Sequence, residues 1–310
     1  MRKQSRPALL VGVAVVLMMI ISACGSTGSG GTTPTTSTGG TTPSPGLSCT
    51  TGNITVAGST ALQPLAQAVA QKYQAKCSGA VITVNGGGSK TGLGEAESGA
   101  IQIGNSDVFA ASNQSDLVDH QVAVVVFVLA TNPNVTGVTS LTSAQILSIY
   151  TGKTTNWSQV GGPNLPIVVV SRPVTSGTRA TFKQYVLKGT AESPNQSKNL
   201  TADSTQLVTQ TVEQTNGAIG YITLGAAMQE GSRLNILSID SNAPTPTNVE
   251  NNTYIFWNIE HMYTKGPATG LAQAFMNYMT TDDAQSSATQ LQFLLVKSMS
   301  QSALAAHQPS

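Results

Sequence analysis

Short apolar runs alternate with amphipathic segments along the chain from residue 53 onward. Residues 53–57, 81–84 and 101–103 have the composition of strands, and segment 60–76 repeats its apolar residues at helical spacing. The run 122–130 is continuously apolar and rich in valine, as is typical of a strand buried on both faces. This alternation predicts an α/β fold in which helices cover sheets of largely parallel strands.

The same alternation continues to the end of the chain. It predicts a short helix at 92–97, helices at 143–149, 178–187 and 270–279, and strands at 167–170, 218–222 and 254–259. Four motifs rich in glycine and hydroxyl residues stand at the ends of predicted strands, at 58–61, 88–92, 104–107 and 172–178. Because parallel strands place ligands at their carboxyl ends, we expect the four motifs to meet around one ligand.

The chain begins with a pattern typical of export. Basic residues precede an apolar run of 14 residues at 8–21, which is shorter than the roughly 20 residues that span a membrane. The tetrapeptide that ends at Cys24 resembles the bacterial lipobox. Residues 1–24 are therefore predicted to be a lipoprotein signal peptide, with Cys24 as the lipidation site that anchors the protein to the outer face of a bacterial cell membrane. An ordinary secretory signal is the alternative.

Composition then narrows the possible partners. Residues 25–46 consist of Gly, Ser, Thr and Pro, which predicts a disordered linker. Only 9% of the chain is charged and the net charge is +1, so no basic stripe for nucleic acid is expected. Cys49 and Cys77 are the remaining cysteines, and in an exported chain they predict a disulfide, with two buried free thiols as the alternative.

The four motifs have the chemistry of an anion site. Ser59 and Thr60, Ser89 and Ser176 each stand between a strand and a helix, where the first N–H groups of a helix lack partners and carry partial positive charge. For any one motif, plain helix capping is the alternative. Three such motifs together with an arginine favour a shared site.

Arg172 and Asp107 define which anion the site would prefer. A guanidinium can grip two oxygens of a tetrahedral oxyanion, whereas a carboxylate beside an anion is unfavourable unless the anion donates a proton to it. Hydrogen phosphate carries such a proton and sulfate does not, so Asp107 predicts selection of phosphate. A surface salt bridge for Arg172 and a turn or cap role for Asp107 are the alternatives.

Several segments carry a resemblance to a known family. They are residues 58–64, 86–92, 103–107, 171–182, 217–221 and 260–266. In these segments the chain resembles the substrate-binding proteins of high-affinity phosphate ABC transporters, and the likeness runs from about residue 53 to 285. The resemblance implies a two-lobed, type II-like periplasmic-binding-protein fold, in which each lobe is a mostly parallel sheet flanked by helices and the ligand lies in the cleft. Lobe 1 is then expected at 47–123 plus 253–310 and lobe 2 at 124–252.

The resemblance also implies a set of site residues and partners. The expected phosphate ligands are Ser59, Thr60, Ala61 through its backbone, Ser89, Asp107, Arg172, Ser176, Gly177 and Thr178. Inorganic phosphate, a membrane permease and the lipid-anchored membrane surface are the expected partners, with no cofactor and a monomeric state. Two departures from the family pattern stand out. Val174 occupies a position that is acidic in many relatives, and Lys90 occupies one that is often small.

Other functions are disfavoured by what the sequence lacks. A phosphatase needs a nucleophile with a base or a metal cluster, but His120, His261 and His307 are scattered and no spacing suits a metal. We therefore expect no enzyme activity. The remaining alternatives are a binding protein for sulfate or molybdate, and a phosphate-sensing surface lipoprotein without a role in transport.

Overall fold

The computed structural model describes residues 47–193 and 200–308, which belong to one compact unit. The predicted signal peptide (1–24), with its lipidation site Cys24, and the predicted linker (25–46) lie outside the described residues. None of the helices in the described ranges is both long enough and apolar enough to cross a membrane.

Within the described residues, ten strands form the sheet. They are β1 (Gly52–Gly58), β2 (Ala80–Asn85), β3 (Ile103–Ser106), β4 (Leu117–Thr131), β5 (Ser140–Leu141), β6 (Val168–Ser171), β7 (Leu200–Thr201), β8 (Ala218–Thr223), β9 (Asn235–Ile239) and β10 (Trp257–Lys265). Along the main path their order is β2-β1-β3-β10-β4-β8-β6-β7, and β9 pairs with β4 and β5.

Helices cover this sheet. The α-helices are α1 (Gln63–Lys76), α2 (Ser89–Ser98), α3 (Ser143–Tyr150), α4 (Gly177–Thr181), α5 (Thr205–Gln214), α6 (Leu224–Glu230), α7 (Pro246–Glu250), α8 (Gly270–Met279), α9 (Asp282–Gln290) and α10 (Gln301–Ala306). A π-helical turn, Phe182–Val186, continues α4, and short 3₁₀ turns lie at Trp157–Val160, Gly231–Arg233 and Val296–Ser298.

The predicted α/β fold is confirmed, but the sheet is mixed rather than mostly parallel. Parallel pairs lie on both flanks, where β1 pairs with β2 and β3, and β6 pairs with β7 and β8. In the centre, β10 runs antiparallel to β3 and β4, and β4 runs antiparallel to β8 and β9. The parallel strands β1, β2 and β3 are joined through α1 and α2, whereas β10 returns from the far end of the chain and is free of that constraint.

The longest strand, β4, runs through the middle of the molecule. Its 15 residues are buried from Val122 to the end, as the apolar run in the sequence predicted. It pairs with β10 up to Val126 and with β8 from Phe127 onward. The partner therefore changes a few residues beyond the expected lobe boundary at 123/124. The division into two lobes itself stays a prediction.

Several element ends differ from the sequence expectations. Helix α1 begins at Gln63 instead of residue 60, because Pro64 suits the first helical turn and Ser59 caps a separate turn before it. Helix α2 begins at Ser89, earlier than predicted, and β10 begins only at Trp257.

A disulfide fastens one end of this architecture. Cys49, just before β1, is bonded to Cys77, just after α1, and their Cα atoms lie 5.1 Å apart. The bond joins the entry of the first strand to the exit of the first helix.

Candidate functional site

The four motifs meet at one place in the fold. At Gly177, the first residue of α4, an added Cβ would collide with Ser89 Oγ at the start of α2 and would lie 2.9 Å from the Cβ of Asp107, just after β3. At Gly58, which has a φ of +133°, an added Cβ would collide with the backbone of Asn105. Only glycine allows these segments to approach so closely, so both glycines are required for the motifs to converge.

Asp107 lies buried at the centre of this cluster, with 2% of its surface exposed. Thr178 donates its hydroxyl hydrogen to Asp107 Oδ2 over 2.8 Å, and Ser89 Oγ accepts the Asp107 N–H over 3.0 Å. Asn258 donates to the Asp107 carbonyl over 2.7 Å. The second carboxylate oxygen, Oδ1, is buried and receives no hydrogen bond from any N–H or hydroxyl group of the described residues. That oxygen can accept a proton from a ligand.

Arg172 faces the same cluster from the end of β6 and is 1% exposed. Its Nη2 donates to Thr60 Oγ1 over 2.8 Å, while Nη1 lies 3.5 Å from Thr178 Oγ1. Burial lowers the pKa of Arg172 and the negative charge of Asp107 opposes that effect. The guanidinium remains a cation. Thr178 thus contacts the cation and the carboxylate at once.

The hydroxyl groups of the motifs do not all have the same role. Ser59 Oγ accepts the N–H groups of Ala61 and Leu62 over 3.0 Å each, so it caps the turn before α1. Ser176 Oγ accepts the N–H of Arg179 over 3.2 Å and caps α4. The N–H groups of Gly177 and Thr178 lie in the first turn of α4 and therefore have no intrahelical acceptors. These two groups belong to the segment packed against Ser89 and Asp107.

A second network of hydrogen bonds orients Arg172, although position 174 is not acidic. Val174 is 70% exposed and points away from the cluster. Instead, Arg179 Nη1 donates to the Arg172 carbonyl over 2.6 Å, and Arg179 Nη2 lies 3.5 Å from Glu192 Oε2. Glu192 is itself buried and accepts a hydrogen bond from the Tyr221 hydroxyl over 2.8 Å and another from Ser171. The support comes through the backbone of Arg172 rather than through its side chain.

The arginine side of the cluster also contains residues that the motifs did not indicate. Thr205, at the start of α5, lies 3.4 Å from Arg172 Nη1 and donates its N–H to Thr60 Oγ1 over 3.3 Å. The Asp203 carbonyl lies 3.4 Å from Arg172 Nη2. The only sequence signal for them is a Ser–Thr pair at a helix start, which plain capping explains equally well.

Comparison with known proteins places this geometry in a family. The profile of the PBP superfamily domain matches residues 34–283. The phosphate-binding protein PstS of Bacillus subtilis strain 168 is 39% identical to the chain over 289 residues, covering 92% of both chains. The chain belongs to the family of PstS phosphate-binding proteins.

Further relatives agree with this membership. The PstS of Borreliella burgdorferi is 25% identical over 252 residues, covering 79% of this chain and 90% of the relative. A putative phosphate ABC transporter substrate-binding protein from Clostridium perfringens, solved with bound phosphate, superposes with a TM-score of 0.73 at 27% identity. It covers 79% of this chain and all of that one. The family resemblance noted in the sequence is therefore confirmed, as is the periplasmic-binding-protein type of fold.

None of the three histidine side chains forms a hydrogen bond to Arg172 or Asp107 among the described residues of this PstS relative. His307 is stacked between Tyr185 and Trp257, with ring centroids 3.9 and 3.6 Å apart, and burial lowers its pKa to about 3. His261 Nδ1 lies 2.8 Å from Asp119 Oδ1. Within residues 47–193 and 200–308, no three His, Cys, Asp or Glu side chains are grouped so that they could hold a metal ion.

Proposed function

We propose that this protein binds inorganic phosphate outside the cell membrane and delivers it to the permease of an ABC transporter. The observation that carries the proposal is a buried guanidinium and a buried carboxylate in one cluster, both in contact with the Thr178 hydroxyl. A fully ionised oxyanion would satisfy Arg172 but would face the unpaired oxygen of Asp107. Hydrogen phosphate satisfies both, because it accepts from Arg172 and donates to Asp107.

The proposed ligand contacts follow from the same arrangement. Thr60, Ser89 and Thr178 supply hydroxyl groups and Gly177 supplies a backbone N–H group, while the Ala61 N–H exchanges its bond to Ser59 Oγ for one to the ligand. Ser59 and Ser176 act mainly by shaping the two turns, since their hydroxyls already cap them. The PstS relatives and the phosphate-bound structure support phosphate as the ligand and transport as the purpose. Sulfate and molybdate are not favoured.

We extend the proposal to the rest of the chain. Residues 1–24 direct export, lipidated Cys24 holds the protein at the outer face of the membrane, and residues 25–46 tether a monomeric domain. That domain closes on phosphate between a lobe at 47–123 plus 253–310 and a lobe at 124–252. A chain altered by Cys24→Ser should be released from cells, and mass spectrometry of the wild-type N-terminus should find the lipid.

Calorimetry on residues 47–310, stripped of endogenous ligand by partial unfolding and refolding, tests the central claim. We expect tight binding of phosphate, binding of arsenate, which has the same geometry and proton, and no measurable heat with sulfate. Tighter binding of sulfate than of phosphate would overturn the assignment. An assay with a chromogenic phosphate ester should detect no hydrolysis, and a deletion strain should lose uptake of labelled phosphate.

A further inference from the structure

Glu260 is a buried acidic residue whose place in the site is not explained by ligand contacts alone. It lies in β10 and is fully buried, and neither carboxyl oxygen receives a hydrogen bond from an N–H or hydroxyl donor of the described residues. A buried, ionised carboxylate without donors is strongly unfavourable. Burial raises the pKa of Glu260 well above its usual value and so favours its neutral carboxylic acid form.

The backbone brings Glu260 to Asp107. The register of β10 against β4 shifts between Glu260 and His261, as in a β-bulge, which redirects side chains at that point. His261 pairs with Ser106, the residue immediately before Asp107. Asn258, two residues before Glu260 in β10, donates to the Asp107 carbonyl. Because β10 and β3 are antiparallel, Glu260 and Asp107 are the next residues after the His261–Ser106 pair along the two strands, and the two side chains interact.

The contact between the two carboxyl groups requires a proton. Asp107 raises the pKa of Glu260 further, through its charge and through a hydrogen bond between the two side chains. Two ionised carboxylates cannot form that bond, because both are acceptors only. Asp107 Oδ1 has no other donor, whereas Oδ2 accepts from Thr178. In the arrangement proposed below, Glu260 carries the proton and donates it in a hydrogen bond to Asp107 Oδ1, whose second lone pair stays free for the ligand.

We propose that Glu260 is a positioning and specificity-determining residue that, as a neutral acid, donates a hydrogen bond to Asp107 and holds its carboxylate as an acceptor for the proton of the ligand. The inference rests on the proposed function. With Thr178 and Glu260 as fixed donors, the Asp107 carboxylate has free lone pairs that can accept a hydrogen bond and no proton that it can donate. The pocket can then accept the proton of hydrogen phosphate but cannot donate one to sulfate. Glu260 needs no contact with the ligand to produce this selectivity.

The charged groups on the surrounding elements do not replace Glu260 in this role. In the part of the chain that the structure describes, Asp107 is the one charged group that contributes to the raised pKa of Glu260. The other charged or titratable groups on elements that pack near Glu260 and Asp107 are Arg172, Asp203, Lys90, Glu95, Glu97, and His261 with its partner Asp119. All of these are unchanged in a Glu260 variant, so such a variant isolates the effect.

The test compares Glu260→Gln, which keeps a donor, with Glu260→Leu, which keeps the volume and removes the donor. Calorimetry would measure phosphate and sulfate binding between pH 5 and 8. In Glu260→Leu, the Asp107 carboxylate loses the donor that holds it in place, so we expect the preference for phosphate to fall about tenfold or more at pH 6. In Glu260→Gln it should stay within about threefold of wild type. Equal behaviour of the two variants would overturn the inference.

Infrared spectroscopy gives a second readout that does not depend on the leucine variant folding. The ligand-free wild-type domain at pH 7.5 should show the C=O band of a buried protonated carboxyl group. Glu260→Gln should lack this band, and adding phosphate to the wild type should shift it. A wild type that binds phosphate but has no such band overturns the role of Glu260 alone. A wild type with the band that binds no phosphate overturns the proposed function instead.

Discussion

The two walls of the pocket are built in different ways. The first wall comprises residues 58–61, 88–92 and 104–107, and main-chain bonds hold it together: Ser59 N–H to Asn105 O at 2.9 Å and Gly88 N–H to Gly58 O at 2.8 Å. The second wall comprises residues 172–178 and 203–205. Side chains hold it, as Arg179 supports the Arg172 backbone and Thr205 contacts its guanidinium.

This difference suits the two walls to different roles, one in selectivity and the other in affinity. The first wall offers a rigid surface of neutral donors with one carboxylate, since close-packed glycines leave it no room to shift. The second wall carries the cation, and its position depends on residues far apart in the sequence. Several hydrogen bonds join the walls: Arg172 and the Thr205 N–H both donate to Thr60, Thr178 donates to Asp107, and the Lys90 N–H donates to the Thr175 carbonyl. We infer that the first wall determines selectivity and the second provides most of the affinity.

The largest expected effect comes from removing the cation of the second wall. Arg172→Ala should weaken phosphate binding by at least about 3 kcal/mol, because it removes a buried two-pronged donor and leaves Asp107 uncompensated. Calorimetry measures the loss. Arg172→Lys is the matched control, and it should recover only part of the affinity because an ammonium lacks the fork. An alanine variant that binds within threefold of wild type would contradict the assignment.

The next effect lies in the first wall and concerns selectivity. Asp107→Asn should reduce the preference for phosphate over sulfate by about 1–3 kcal/mol, since an amide donates to a fully ionised anion where the carboxylate repels it. Competition between the two anions in equilibrium dialysis gives the ratio directly. Full discrimination in this variant would mean that selectivity is determined elsewhere. Comparison with Arg172→Lys tests whether the walls divide affinity and selectivity as inferred.

A smaller effect should follow from loosening the support behind the second wall. Arg179→Met removes the hydrogen bond to the Arg172 carbonyl and leaves Glu192 without its cation, so phosphate binding should weaken by about 1–1.5 kcal/mol. Lys183→Met is the control, because Lys183 is exposed nearby in the same helical segment. If both variants bind as wild type does, the backbone support of Arg172 is not needed for affinity.

The smallest effect concerns the entrance of the pocket. Lys90 is exposed next to Ser89, and its positive charge should speed capture of an anion. Lys90→Ala should slow association about two- to fivefold at low salt and leave the dissociation rate nearly unchanged. Stopped-flow measurements over a salt series, with Lys153→Ala as an exposed control, would detect this. An unchanged rate with unchanged salt dependence would remove Lys90 from the mechanism.

The same contrast explains what the sequence could and could not predict. The residues of the first wall could be predicted from the sequence because their glycine and hydroxyl residues are contiguous and follow recognisable strands. Thr205 and Glu192 were missed because the sequence between them has neither helical nor strand periodicity. Glu260 was missed because the shift at Glu260 and His261 interrupts the strand pattern, so β10 was predicted to end at 259. Local pattern indicates which groups bind, but long-range packing determines how they are held.

The central strand β4 has a consequence for how the molecule is assembled. Its pairing partners, β8 and β10, are about 90 and 140 residues further along the chain, so the middle of the sheet consists of contacts between distant segments. During synthesis, β4 emerges long before either neighbour exists. The part of β4 that pairs with β10 must therefore stay unpaired until residues 257–265 have been made, which exposes this valine-rich strand to aggregation if the carboxyl-terminal third is cut away.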